Sequence, residues 1–352
     1  MSLLETLIEL VDIRSVTGEE EEIAAALEFR LSRIAPVRRI GNSLVVGDLG
    51  GRPYFALYGH TDTVPEQGNG TPVVEGDRLR GLGTSDMKAG LAVMTHLLED
   101  AELASGPYGV VGVFYDKEEG PSVENGLEQV LDETPGLLDA ELSIVLEPTD
   151  LRVEVGCNGA LNADVTFLGS AAHSARPWFG ENAVTKAGTW LGDLHAREPE
   201  SFMIDGLEFR EVFSVTRASG GIANNVIPAR FTVNLNHRFP PVFDLEEAEA
   251  RLRNVAAAAD EIVIKDAAAA GAVATDDPHV ARLEAIVGDR RMAKQGWTDV
   301  ARLTGRGLTA LNYGPGESGL AHQAAESVPI VNLDIAFNVL RRFILGGQGI
   351  SD

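Results

Sequence analysis

The stretch Tyr54-Phe55-Ala56-Leu57-Tyr58-Gly59-His60-Thr61-Asp62 decides the fold class. Six uncharged residues run into a histidine and then an aspartate. The run is too short for a helix and its apolar residues do not alternate with polar ones, so it reads as a strand buried on both faces. Similar runs occur at residues 44–46, 110–115 and 142–146, each bounded by Gly, Pro or charged residues. Helical stretches at about 87–98 and 126–131 separate several of them. Strands alternating with helices in this way indicate an α/β domain with a largely parallel sheet.

Upstream, Leu3, Leu4, Leu7, Ile8 and Val11 recur at helical spacing, and Thr17-Gly18-Glu19-Glu20 reads as a capping box opening a second helix that ends at Pro36. Downstream the texture changes at Gly156-Cys157-Asn158-Gly159. The order from there is strand (163–167), helix (about 182–195), strands (about 208–215 and 226–236), helix (about 245–257) and strand (261–264). This β-α-β-β-α-β order is a ferredoxin-like α+β arrangement. A return linker (266–274), a helix (279–287), a strand (309–312) and a last helix containing Ile335, Val339, Leu340 and Ile344 complete the chain. The first domain is therefore expected to be interrupted. Residues 1–157 and 271–352 would form it, around an insertion at 158–270.

The reactive side chains cluster at one address. His60, Glu118-Glu119 and Glu147 each follow an apolar strand, and the crevice beyond the carboxyl ends of the strands is where an open α/β sheet binds ligands. Carboxylates converging there cannot all stay ionised without a cation. Asp86, in Gly81-Leu82-Gly83-Thr84-Ser85-Asp86-Met87-Lys88, and His322, in the loop that begins Gly314-Pro315-Gly316, join the set. Two imidazoles with three carboxylates suit zinc or another borderline divalent ion better than calcium or magnesium. Glu118, outside the ligand set, is then free to act as general base toward a water.

Composition limits the partners. Of the 352 residues, 29 are Lys or Arg and 53 are Asp or Glu, a formal charge of −24, with no basic run to offset it. Such a chain repels phosphate backbones and anionic membranes, so neither nucleic acid nor a membrane is an expected partner. The lone cysteine, Cys157, excludes an intrachain disulfide, no apolar run reaches spanning length, and the start Met1-Ser2-Leu3-Leu4-Glu5 carries no basic region. A cytoplasmic location is expected.

On these residues the chain resembles the zinc-dependent family of aminoacylases and exopeptidases that includes acetylornithine deacetylases, succinyl-diaminopimelate desuccinylases and glutamate carboxypeptidases. The resemblance runs through Gly59-His60-Thr61-Asp62-Thr63-Val64-Pro65, Gly83-Thr84-Ser85-Asp86-Met87-Lys88, Glu118-Glu119-Gly120, Glu147-Pro148-Thr149 and His173-Ser174-Ala175-Arg176-Pro177. It implies a zinc-exopeptidase-like catalytic domain with an inserted lid and dimerisation domain. It also implies two zinc ions, replaceable by cobalt or another divalent metal: one held by His60 and Glu147, one by Glu119 and His322, with Asp86 bridging. Asp62 would orient His60, and Glu118 would be the catalytic base. His173 would stabilise the oxyanion in the site of a second copy, which implies a homodimer formed through the lid domain. Asn224 and Asn225, in the lid loop Gly220-Gly221-Ile222-Ala223-Asn224-Asn225-Val226-Ile227-Pro228, together with Arg176 and Arg238, would contact the substrate.

Gly156–Leu161, His173–Arg176, Gly296-Trp297-Thr298-Asp299-Val300 and the spacing from Gly314 to His322 resemble the actinobacterial-type succinyl-diaminopimelate desuccinylases of that family. The resemblance therefore implies hydrolysis of N-succinyl-LL-diaminopimelate, a step in lysine biosynthesis. Deacylation of acetylornithine or acetyl-lysine, or cleavage of a dipeptide, shares the same metal chemistry. An inactive metal-binding homologue is the reading from another class, and the presence of Glu118 with all five ligands weighs against it.

Overall fold

The computed structural model describes residues 1–288 and 291–347, which divide into two compact units. The first comprises Met1–Gly156, Ala272–Ala293 and the chain from Thr298 onward. Its main sheet has eight strands in the order Val37–Ile40, Ser43–Val46, Gly109–Tyr115, Tyr54–His60, Leu142–Val145, Ala310–Asn312, Val153–Val155 and Arg291–Ala293. Tyr54–His60 lies parallel to both Gly109–Tyr115 and Leu142–Val145. All seven of its residues are buried, which is why its sequence shows no alternation.

The helix Lys88–Glu99 packs closely on these strands at two glycines. A Cβ on Gly90 would lie 2.4 Å from the Leu146 carbonyl oxygen, so only hydrogen fits there, while Gly59 makes room for the Leu91 side chain, whose Cδ2 lies 2.6 Å from where a Cβ would stand. The contact brings the start of the helix, and the loop before it, to the carboxyl ends of the strands.

Two local features differ from the sequence reading. The second helix spans Glu21–Leu31 with Glu20 at its N-cap and no side-chain cap; the Thr17 hydroxyl donates instead to Asp62 Oδ2 at 2.8 Å. A tertiary carboxylate outcompetes the local cap. A small antiparallel sheet of Ser327–Pro329, Arg78–Arg80 and Val73–Glu75 also forms, too short to be legible as a pattern. It carries residues 326 and 327 to the loop before Lys88–Glu99.

The second unit comprises Cys157–Gly271 and Lys294–Trp297. Its antiparallel sheet runs Glu200–Ile204, Leu207–Gly220, Arg230–Phe239, Gly159–Leu168 and Glu261–Ala268. Alternate residues of Arg230–Phe239 are buried, and Phe231, Val233, Leu235 and Phe239 share one core with Trp190 of the helix Gly188–His195 and Leu252 of the helix Leu245–Val255. The strand Glu200–Ile204 is additional to the four strands read from sequence. Asp205 and Gly206, at φ +49° and +80°, turn it back on Leu207–Gly220, and an Asp-Gly pair is the expected occupant of such a two-residue turn.

Inside this unit a buried carboxylate is fully engaged. Glu211 accepts from Arg251 Nε at 2.7 Å and Nη2 at 2.6 Å and pairs with His237 Nε2 at 2.8 Å, while Phe213 stacks on the His237 ring at 4.1 Å. Burial pushes the Glu211 carboxyl up, but Arg251 and His237 outweigh it and bring it down to about 2 from an ordinary 4.5. A lowered folded-state value stabilises the fold fully above about 4.5, and that contribution is lost as the pH falls toward 2. Glu211→Gln, which leaves the guanidinium with a neutral partner, is expected to cost about 3 kcal/mol at pH 7 and much less near pH 2. Denaturant unfolding of both proteins at the two pH values checks this; an equal cost at both would disprove it.

Candidate metal centre

Four segments of the first unit meet at the strand ends. His60 is the last residue of Tyr54–His60, Glu118 and Glu119 follow Gly109–Tyr115, Glu147 follows Leu142–Val145, and Asp86 lies in the loop before Lys88–Glu99. His322 arrives from the segment preceding Ser327–Pro329. His60 Nε2 lies 3.2 Å from Asp86 Oδ1 and 3.7 Å from Glu147 Oε1. His322 Nε2 lies 3.3 Å from Asp86 Oδ2 and 2.8 Å from Glu119 Oε1. Asp86 thus turns one oxygen toward each imidazole.

These residues form two triads, His60/Asp86/Glu147 and Asp86/Glu119/His322, with the ligand atoms of each within 4.8 Å of one another. Bonds of 2.0–2.2 Å would set the ligands of one tetrahedral ion roughly 3.4 Å apart, close to the spacings seen. Nitrogen with carboxylate oxygen is also the donor mixture that borderline divalent ions prefer. The residues fit a pair of such ions. Glu118 forms a third close group with His60 and Glu119 and belongs to neither triad.

The electrostatics point the same way. Burial pushes Glu118 well above the ordinary carboxylate range, and Glu119, Glu147 and Asp299 add to this against the pull of His60. Burial raises Glu119 too, with His322 opposing and Asp86 adding. The His60 ring loses proton affinity through burial but gains more from Asp62, Asp86, Glu118 and Glu147, and ends well above its usual value. Asp86 and Glu119 raise His322 to about 11. The cluster therefore holds protons tightly because it needs positive charge, and a divalent ion supplies that charge while leaving the imidazoles neutral.

Behind the triads, Asp62 is fully buried and serves four neighbours at once. His60 Nδ1 sits 3.0 Å from the Asp62 carbonyl oxygen and 3.5 Å from Oδ1, so the backbone is its nearer partner. The carboxylate accepts the Glu118 N–H at 2.9 Å, the Glu119 N–H at 3.0 Å and the Thr17 hydroxyl. It therefore fixes the peptide that carries the candidate base and a candidate ligand, a role the spacing His60-Thr61-Asp62 did not disclose. Further along the same loop, Asn125 donates its Nδ2 to the buried Asp299 at 3.1 and 3.2 Å, and Asp299 Oδ1 forms an ion pair with Arg302 Nε at 2.8 Å. Neither Thr17 nor Asp299 carried a sequence signal for this site.

His173, Arg176, Asn224, Asn225 and Arg238 all belong to the second unit. Ser174 N donates to Asn225 O at 2.9 Å and Ile227 N to Ala172 O at 2.8 Å, so the segment with His173 and the loop with Asn224 and Asn225 lie side by side. The His173, Arg176, Asn224 and Asn225 side chains are exposed. Arg238 is half-buried and donates to Asn236 Oδ1 at 3.1 Å. Arg230, the other local cation, is paired with Glu261 at 2.9 Å.

A family profile described as Peptidase family M20/M25/M40 matches residues 56–346. A protein of Mycobacterium tuberculosis provisionally named as a succinyl-diaminopimelate desuccinylase is 39% identical over 343 residues, covering 96% of each chain. The succinyl-diaminopimelate desuccinylase of Corynebacterium glutamicum is 35% identical over 351 residues, covering 95% of this chain and 94% of its own. Among solved structures, a tripeptidase of Staphylococcus aureus superposes with a TM-score of 0.78 at 20% identity, covering 97% of each chain, which speaks to the fold.

Support of a ligand by a hydrogen-bonded neighbour commonly governs metal affinity by 10–100-fold. Asp62→Asn would face an amide N–H₂ toward a backbone N–H and disturb Glu118 and Glu119 together. Its affinity for zinc, measured by calorimetric titration of the folded protein, is expected to fall by about that factor. Wild-type affinity in a correctly folded variant would rule the role out.

Proposed function

The chain belongs to peptidase family M20/M25/M40, and from that membership we propose that it removes the succinyl group from N-succinyl-LL-diaminopimelate, releasing succinate and LL-diaminopimelate. The observation that carries the reading is a half-buried carboxylate, Glu118, that belongs to neither of two imidazole-carboxylate triads sharing Asp86 and stands beside both. The near full-length likeness to proteins named as desuccinylases supports the choice of substrate.

His60, Glu147 and Asp86 would hold one divalent ion, and His322, Glu119 and Asp86 the other. Zinc suits this donor set, and cobalt substitutes for it. Bound there, such ions would supply Lewis acidity toward the scissile carbonyl and toward a water molecule. Glu118 takes a proton from that water as its oxygen attacks the amide carbon. The carbon–nitrogen bond then breaks, and Glu118 hands the proton to the departing amine nitrogen. Asp62, through the amides of Glu118 and Glu119, keeps the base from drifting during both transfers.

Recognition falls to the second unit. A succinyl group ends in a carboxylate, which Arg176 or Arg238 would receive, with Asn224 and Asn225 supplying neutral contacts. His173 would stabilise the carbonyl oxygen of a substrate held by a second copy as negative charge builds on it. A homodimer follows from that role, formed through the second unit, where residues 212–220 of Leu207–Gly220 pair with a neighbouring strand on one side only. A single cysteine, the buried Cys157, suits a reducing compartment, the cytoplasm. None of the described helices is long and apolar enough to cross a membrane.

A hydrolysis panel of N-succinyl-LL-diaminopimelate, N-acetylornithine, N-acetyl-lysine and dipeptides, run on the wild type and Glu118→Gln, tests the reaction and the substrate together. The succinyl compound should give the highest kcat/KM, and the variant should lose several orders of magnitude in kcat while still binding metal. A preference for an acetyl compound overturns the substrate; near wild-type turnover in the variant overturns the base. The dimer is checked separately by sedimentation velocity. A species of monomer mass alone at micromolar concentration would remove it.

A further inference from the structure

Glu326 has no part in the mechanism above, yet it is one of the most enclosed carboxylates in the first unit, at 1% exposure. Three backbone amides of a single loop converge on it. Gly83 N donates to Oε2 at 3.1 Å, Ser85 N to Oε1 at 2.9 Å and Asp86 N to Oε1 at 3.0 Å. The Glu326 carbonyl also accepts the Gly81 N–H at 3.2 Å, and the Ser85 hydroxyl donates to Ser327 O at 3.0 Å. Loop 81–86 is therefore moulded around one side chain, and its last residue is the aspartate shared by both triads.

Glu326 lies only four residues beyond His322, on a segment that is itself held. Gln67 Nε2 donates to His322 O at 3.0 Å, Asn69 Nδ2 to Gln323 O at 3.2 Å, and Glu326 N to Gln323 O at 3.0 Å. His322 sits at φ +60°, a left-handed conformation that a non-glycine residue keeps only when its surroundings impose it. Asp86 and His322, 236 positions apart in sequence (322 − 86), are thus tied through one carboxylate. His60 and Glu147 stand instead at the ends of the main strands Tyr54–His60 and Leu142–Val145.

We propose that Glu326 is a positioning residue that clamps the Asp86 loop to the His322 segment, and so sets the ion site formed by Asp86, Glu119 and His322 more than the one formed by His60, Asp86 and Glu147. The inference rests on the two-ion reading given above. An anionic side chain suits the place because both of its oxygens must accept from amides; a glutamine offers one oxygen and would aim an N–H₂ at a donor. The loss is then one of geometry at Asp86, felt most where His322 also depends on the same anchor.

The test titrates zinc into the full-length protein calorimetrically and follows cobalt by its visible absorption, for wild type, Glu326→Gln and His322→Ala. His322→Ala identifies which binding step belongs to the second site. Two ions per wild-type chain are expected, with that step weakened at least tenfold in Glu326→Gln, the other step within threefold of wild type, and an altered cobalt spectrum. Wild-type affinity at both steps, or an equal loss at both, overturns the clamp. A Glu326→Gln chain that does not fold makes Glu326 a determinant of the fold and overturns it as well. A wild type that binds no ions removes the two-ion reading itself, an outcome read before any variant is compared.

Discussion

Buried negative charge at the ends of parallel strands is the constraint on which the rest of this structure depends. Asp62, Asp86, Glu118, Glu119, Glu147 and Glu326 crowd one end of the main sheet, where water cannot solvate them freely. Each must find a compensating group or take up a proton. Two kinds of compensation divide the set. Asp62 and Glu326 accept backbone N–H groups, five in all between them, and are spent on shaping loops. Asp86, Glu119 and Glu147 face imidazole nitrogens, in groups that could hold a cation.

That division explains why the loops hold their shape without regular structure. Residues 81–87 and 116–125 carry Asp86, Glu118 and Glu119, and the amides of those residues are satisfied by carboxylates from distant parts of the chain. The packing of Lys88–Glu99 through Gly59 and Gly90 sets the distance from loop 81–87 to the strand ends. The second unit solves a similar problem by another route, pairing Glu211 with Arg251 and His237. There every oxygen is consumed by fixed partners, and the result is a structural anchor with nothing left for a ligand.

The charge of −24 takes on a sharper meaning in this light. Under the proposed function, only a handful of the 53 acidic residues would take part in the chemistry, and the rest would form a field that repels an anionic substrate. Attraction has to be local, and the groups able to supply it are bound dications and a few arginines. Arg230 is withdrawn from that role by Glu261, while the exposed Arg176 remains available to it.

What the sequence by itself determined is what local pattern and residue chemistry can carry. An uninterrupted apolar run before His60 requires a strand buried on both faces, the same logic places Glu118, Glu119 and Glu147 at strand ends, and two imidazoles among carboxylates call for a divalent ion. The alternation in residues 230–239 likewise reads as one face of a sheet. Only the tertiary structure decided which acidic residues face imidazole nitrogens and which accept from the backbone, because that depends on amides brought from far along the chain. Thr17 reads as a helix cap and binds Asp62 instead. Strand Glu200–Ile204 declared itself only through its Asp-Gly turn. Glu326 stands four residues beyond His322 but in no periodicity or motif that marks it, since the three N–H groups it serves lie about 240 positions away and become its neighbours only when the small sheet forms.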